Sequence, residues 1–254
     1  MSHGAPTPRA YVLLHGLTAS PRQFEAFGRT LFQRGSNVYV PRLPRHGLAD
    51  RLTPELALLT ADELREFAAA AIARGRGLGE RVVCVGFSVG GLLSAWIGQH
   101  HAIERATAIA PFLGPAFVPG GLARGAMRAS LLLPNRFVWW NPILRERQMP
   151  AHGYPRVPTH AVAHAGALAR ELLASARASA PAAKDLQIVL NASESTVNNA
   201  AARRLAAAWS AHRGGANVLH RLQGLPPSHD IIEPLRSPAI VSRVYPQLFD
   251  LVER

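Results

Sequence analysis

Apolar positions along the chain alternate between two periods. Arg9 to Leu14 is a compact apolar run that predicts a strand, and after it Phe24, Phe27 and Leu31 recur at helical spacing. Ser20-Pro21-Arg22-Gln23 precedes that helix with an N-cap serine, a proline at the first position and a glutamine placed to complete a capping box. Gly35 ends the helix, and Gly28 is the one residue inside it that weakens the pattern. Asn37 to Val40 predicts a second strand, followed by a Pro-rich loop through His46-Gly47. Thr60 with Glu63 forms a second capping box, opening a helix whose Leu64, Phe67, Ala71 and Ile72 share a face.

The same rhythm gives strand Arg81 to Val85, helix Leu92 to His101 and strand Ala106 to Ala110. It lapses from about residue 112 to 180, where Pro/Gly-rich sequence leads into Leu131-Leu132-Leu133, Trp139-Trp140 and a helical Thr159 to Ala178. This stretch predicts an inserted cap within a single domain spanning 1–254. Strand Leu186 to Asn191, helix Asn198 to His212, strand Asn217 to Leu222 and a closing helix from Ser237 complete the chain. Alternating strands and helices imply an α/β fold, a mostly parallel sheet of about six strands flanked by helices.

Composition narrows the class. With 254 residues, 48% hydrophobic and 17% charged, the chain suits an ordinary globular interior. Its single cysteine, Cys84, excludes an internal disulfide and Cys-based metal knuckles. No apolar run near the start is long enough for a secretory signal, so a cytoplasmic protein is expected. The uncharged stretch Ala106 to Ala123 carries three prolines and three glycines, which argues against a transmembrane segment. The net charge of +12 is nearly all arginine, spread through the chain without a basic tract interleaved with aromatics. No specific nucleic-acid partner is expected, and weak association with anionic surfaces stays open.

The chemistry concentrates in Val82-Val83-Cys84-Val85-Gly86-Phe87-Ser88-Val89-Gly90-Gly91, where an apolar strand runs into G-x-S-x-G and then a helix. That context suits a sharp turn presenting Ser88 as a nucleophile at a helix N-terminus, with the Val89 N–H placed to donate to an oxyanion. Val12-Leu13-Leu14-His15-Gly16-Leu17-Thr18 is a second strand ending in a glycine turn, and the Leu17 N–H is the second candidate donor. His15 is expected to brace this loop, in preference to acting as a base.

These two elements resemble the α/β-hydrolase superfamily, specifically its bacterial carboxylesterase and monoacylglycerol-lipase-like serine hydrolases. The match runs through nearly the whole chain in motif order, least in the cap. The resemblance implies an α/β-hydrolase fold and a triad in the order serine, acid, histidine. Glu104 and Asp185 precede predicted strands and Glu146 and Glu171 lie in the cap, leaving Glu194 as the acid, in Glu194-Ser195-Thr196-Val197. Glutamate replaces the family's commoner aspartate there, and the alternative for Glu194 is a loop carboxylate capping the helix at Asn198. His229, after the last strand, is implied as the base, with Asp230 the reserve acid.

The resulting expectation is a serine hydrolase for small or medium-chain carboxylic esters, monoacylglycerols among them, that uses an acyl-serine intermediate and no cofactor. A thioesterase, C–C hydrolase or acyltransferase with the same triad stays open, as does a non-catalytic ligand-binding protein on the same fold. Phe112, Phe117, Trp139 and Trp140 are candidates for substrate contact, although cap packing explains them equally well. His160 and His164 stand four apart, but Ala161 occupies the place where a zinc peptidase helix needs glutamate, so no metal site is expected.

Overall fold

A computed structural model describes residues 1–116, 129, 131–148, 152–215 and 218–254. Six strands form the main sheet: β1 (Thr7–Leu14), β2 (Asn37–Tyr39), β3 (Gly79–Phe87), β4 (Arg105–Ile109), β7 (Asp185–Asn191) and β8 (Leu219–Leu222). Their order is β2-β1-β3-β4-β7-β8, and every pairing is parallel. The remaining strands, β5 (Phe137–Trp139) and β6 (Arg156–Pro158), make a separate antiparallel pair in the insertion.

Strand pleating divides the core in two. On β1, Val12 and Leu14 face one apolar cluster while Tyr11 and Leu13 face the other; on β3, Val82 and Cys84 oppose Val83, Val85 and Phe87. The first cluster is covered by α2 (Ala61–Arg76), α3 (Val89–His100), α4 (Thr159–Ala178) and α5 (Asn199–His212). The second is covered by α1 (Glu25–Gln33) and α6 (Pro238–Glu253). Burial on both faces is why these strands read as continuous apolar runs.

Local signals act as their chemistry dictates, with one exception. Thr60 and Glu63 make both reciprocal bonds of the capping box at α2, and the Asn198 side chain accepts from the Ala201 N–H at the start of α5. Ser20 and Gln23 make no such box: Pro21–Phe24 is a 3-10 turn without a side-chain cap, and the Gln23 amide is used elsewhere. Gly28 lies where α1 meets the sheet, and a Cβ there would fit tightly, 3.0 Å from Met1 Cε, 3.1 Å from Leu13 Cδ1 and 3.2 Å from Val38 Cγ1.

The helix Thr159–Ala178, part of the stretch expected to be a cap, packs instead into the main core through Ala161, Ala165, Leu168, Leu172 and Ala176. Its Ala-rich face permits close approach to α3 and α5. Asn217 lies outside the described residues, and β8 begins at Leu219.

Candidate active site

Parallel topology brings the loops after β1, β3, β7 and β8 to one edge of the sheet. The chain leaves β1 toward α1 on one face and leaves β3 toward α3 on the other, so the crevice between β1 and β3 is a topological switch point. Register pairs Leu14 with Gly86, so Gly16 and Ser88 emerge side by side.

Ser88 sits between β3 and α3 with φ 56° and ψ −115°, a conformation side-chain-bearing residues rarely adopt. Its backbone is held by a bond from the Ser88 N–H to the Ile109 carbonyl (3.0 Å) and by the Phe112 and Leu92 N–H groups donating to the Ser88 carbonyl (both 2.9 Å). The flanking glycines are steric necessities. A Cβ on Gly86 would stand 1.9 Å from the Gly90 carbonyl oxygen, and one on Gly90 would stand 1.9 Å from that of Leu14.

The structure brings Ser88, His229 and Glu194 together. His229 Nε2 lies 2.9 Å from Ser88 Oγ, and its Nδ1 lies 2.8 Å from Glu194 Oε2. The Glu194 side chain is fully enclosed. Burial pushes its carboxyl up, but the His229 hydrogen bond and charge and the Thr196 and Val197 N–H donors outweigh this, leaving the pKa below its ordinary value. An ionised carboxylate only accepts, so His229 Nδ1 carries the proton and Nε2 is free to accept from the Ser88 hydroxyl. Glu194 does not cap α5; Asn198 does so itself. Asp230 turns away, its Oδ2 accepting from Gln23 Nε2 at 3.1 Å.

The Leu17 and Val89 N–H groups donate to no partner among the described residues, and Val89 is the first residue of α3, where helical N–H groups are free. A Cβ on Gly16 would lie 3.3 Å from Ser88 Cβ, which measures how closely the first turn approaches the nucleophile candidate. His15 braces that turn: its Nδ1–H donates to the Gly16 carbonyl (2.9 Å), and its Nε2 accepts from the Leu43 N–H (3.1 Å). His46 does the same one residue further along, between the Pro44 carbonyl (2.7 Å) and the Thr18 N–H (3.1 Å).

Several residues in this network carry no recognisable motif. Asn191 Nδ2 donates to the Pro226 and Ser228 carbonyls at 2.8 and 3.1 Å, and Ser195 Oγ donates to the Pro227 carbonyl at 3.2 Å, stitching the Glu194 and His229 loops together. Gln23 Oε1 accepts from the Gly16 N–H at 2.9 Å. Their partners are remote in sequence, and only the position of Asn191 at a strand end hints at a role.

The candidates for substrate contact have separate positions. Phe112 is half-buried beside the Ser88 turn and touches both apolar clusters. Trp139 lies under the Arg156 guanidinium, 5.6 Å from its ring centroid. Trp140 is half-exposed and donates from Nε1 to Thr18 Oγ1 at 3.0 Å. Phe117 lies outside the described residues. Among the described residues, no three His, Cys, Asp or Glu side chains are grouped to hold a metal, and no helix is long and apolar enough to cross a membrane. The Cys84 thiol is buried and pushed up to about 12 by that burial, which leaves it unreactive.

Comparison with known proteins bears on the fold. A metagenome-derived lipolytic enzyme from the LipS and LipT study superposes with a TM-score of 0.70 at 17% identity, covering 94% of this chain and 93% of that one. The monoacylglycerol lipase of Paleococcus ferrophilus gives 0.69 at 17% identity, covering 97% and 96%. A soluble variant of monoglyceride lipase from Saccharomyces cerevisiae gives 0.69 at 11% identity, covering 99% and 88%. Likeness at such low identity speaks to the fold alone. No curated protein sequence matches the chain. The model of the alpha/beta hydrolase family matches residues 11–239, nearly the full length, and the chain belongs to that family.

Proposed function

We propose that the protein is a serine hydrolase that cleaves carboxylic esters of small or medium chain length through an acyl-serine intermediate. The observation that carries this reading is the unbroken run of hydrogen bonds from Glu194 through His229 to Ser88, ending on a hydroxyl held in a strained turn.

In this mechanism His229 Nε2 takes the Ser88 proton as Oγ attacks the ester carbonyl carbon. The carbonyl oxygen becomes an oxyanion, and the Leu17 and Val89 N–H groups donate to it, helped by the positive end of α3. As the carbon–oxygen bond to the leaving group breaks, His229 returns the proton to the departing alcohol. Water then attacks the acyl-enzyme by the same route, releasing the acid and restoring the hydroxyl. Glu194 stays ionised, holding the ring orientation and offsetting the imidazolium charge. Phe112 is the apolar side chain we place beside the acyl group. No cofactor enters any step.

A fluorophosphonate probe, together with nitrophenyl esters of graded acyl length, tests the proposal. Wild type should be labelled and Ser88→Ala should not. His229→Ala should lose about 10³-fold or more in kcat. Turnover that persists in Ser88→Ala would refute the assignment.

A further inference from the structure

The geometry points to Gln23 as a positioning residue that holds the oxyanion turn and the histidine loop in mutual register. This inference rests on the acyl-transfer reading above and deepens it. Gln23 is only 4% exposed, and its amide spans two segments that are otherwise about two hundred residues apart. On one side Oε1 accepts from the Gly16 N–H at 2.9 Å. On the other Nε2 donates to Asp230 Oδ2 at 3.1 Å, next to His229.

Each bond has a specific effect. Binding the Gly16 N–H fixes the His15–Gly16 peptide, and with the Gly16 carbonyl held by His15 Nδ1 the following peptide, which carries the Leu17 N–H, is constrained at both ends. Binding Asp230 fixes the residue after His229. Asp230 is itself anchored, its Oδ1 accepting from the Ile232 and Glu233 N–H groups at 3.3 and 3.1 Å. The opposite side of the histidine loop is held by Asn191 and Ser195. Gln23 therefore supplies the tie that relates proton acceptor to oxyanion donor. A misplacement of about 1 Å between such groups costs on the order of 100-fold in rate.

An amide is suited to this place because it both accepts and donates. A carboxylate would accept from Gly16 but face Asp230 with like charge. Asp230 also faces Arg236 Nη1 at 3.7 Å, the Glu233 carboxyl and the Tyr245 hydroxyl, so its surroundings hold one cation and two further acidic groups.

The test compares wild type, Gln23→Met and Gln23→Glu for hydrolysis of nitrophenyl butyrate and for the rate of fluorophosphonate labelling, well below each thermal midpoint. Gln23→Met keeps length and loses both bonds; its kcat should fall about 10- to 100-fold with KM within about twofold. Gln23→Glu keeps the bond to Gly16, and its kcat relative to wild type should recover as pH falls, when a proton shared with Asp230 restores a donor. Should Gln23→Met fail to fold, this pH-dependent ratio in Gln23→Glu decides alone. Wild-type kcat in the folded variants, a change confined to KM, or a pH-independent ratio would overturn the role of Gln23. A wild type that is neither labelled nor active would overturn the acyl-transfer reading and this inference together, whereas active wild type with unaffected variants overturns Gln23 only.

Discussion

His15 and His46 are enclosed beside the candidate site with every ring nitrogen engaged by backbone. Each accepts an N–H at Nε2, so neither can gain a proton without breaking that bond. Burial lowers His46 from 6.5 to about 4, and burial followed by the neighbouring His46 charge lowers His15 well below its ordinary value. The sign follows: below pH 6.5 the unfolded chain binds protons that the folded one refuses, so stability drops as pH falls. The His46 shift alone, from 6.5 to about 4, corresponds to roughly 3 kcal/mol lost across that window. Glu194 is depressed, so its own contribution is lost only at lower pH, below the ordinary carboxylate value. Urea unfolding at pH 7.5 and pH 4.5 checks this, and an unchanged midpoint would contradict it. At this scale the sequence was most informative where a residue's chemistry depends on its immediate neighbours. Ser88 announces itself through flanking glycines, whereas Gln23 carries the letters of a capping box and spends its amide on Gly16 and Asp230 instead.

The β5–β6 hairpin is joined to the first turn through Thr18, a buried residue with φ of 63°. Its N–H donates to His46, its carbonyl accepts from the Tyr154 N–H at 2.7 Å, and its hydroxyl oxygen accepts from Trp140. Gly153 is required by the same contact, since a Cβ there would lie 2.5 Å from the Thr18 carbonyl oxygen. Trp140→Phe, which removes the indole donor together with part of the ring, should cost about 1 kcal/mol and open the hairpin to proteases. Limited proteolysis of the two proteins reads this directly, and identical cleavage would count against the tie. Helices and the long strands were legible because capping residues and apolar spacing are local. The three-residue strands β5 and β6 were not, since no strand–helix rhythm frames them as it frames β2, and the Arg156 guanidinium that lies over Phe137 and Trp139 across the pair comes from a remote segment. Likewise α4 was visible as a helix, but its seat in the main core depends on α3 and α5, which periodicity cannot locate.

Over the whole molecule, the parallel order could be anticipated from alternation, but the assembly of the site depends on strand order, which no single segment encodes. The arginine excess is a property of this scale as well. Many guanidinium groups are paired, as in Arg45 with Glu55 and Glu63 and Arg105 with Asp185, yet the net charge remains +12. We propose that such a field draws the protein weakly to anionic surfaces without selecting among them; salt shortens the reach of any such field to about 3 Å at 1 M. Sedimentation with phosphatidylserine vesicles should therefore decline steeply between about 0.05 and 0.5 M salt. Retention that ignores salt would point to apolar insertion instead.

The groups that the proposed reaction would use come from residues 17, 88, 194 and 229, so a chain cut before residue 229 lacks one of them. During refolding, distant strands must find one another before the imidazole meets the hydroxyl, and such long-range closure is slow. Under the proposed acyl transfer, competence should therefore return only once the strands are assembled, because the imidazole and the hydroxyl stand 141 residues apart in sequence.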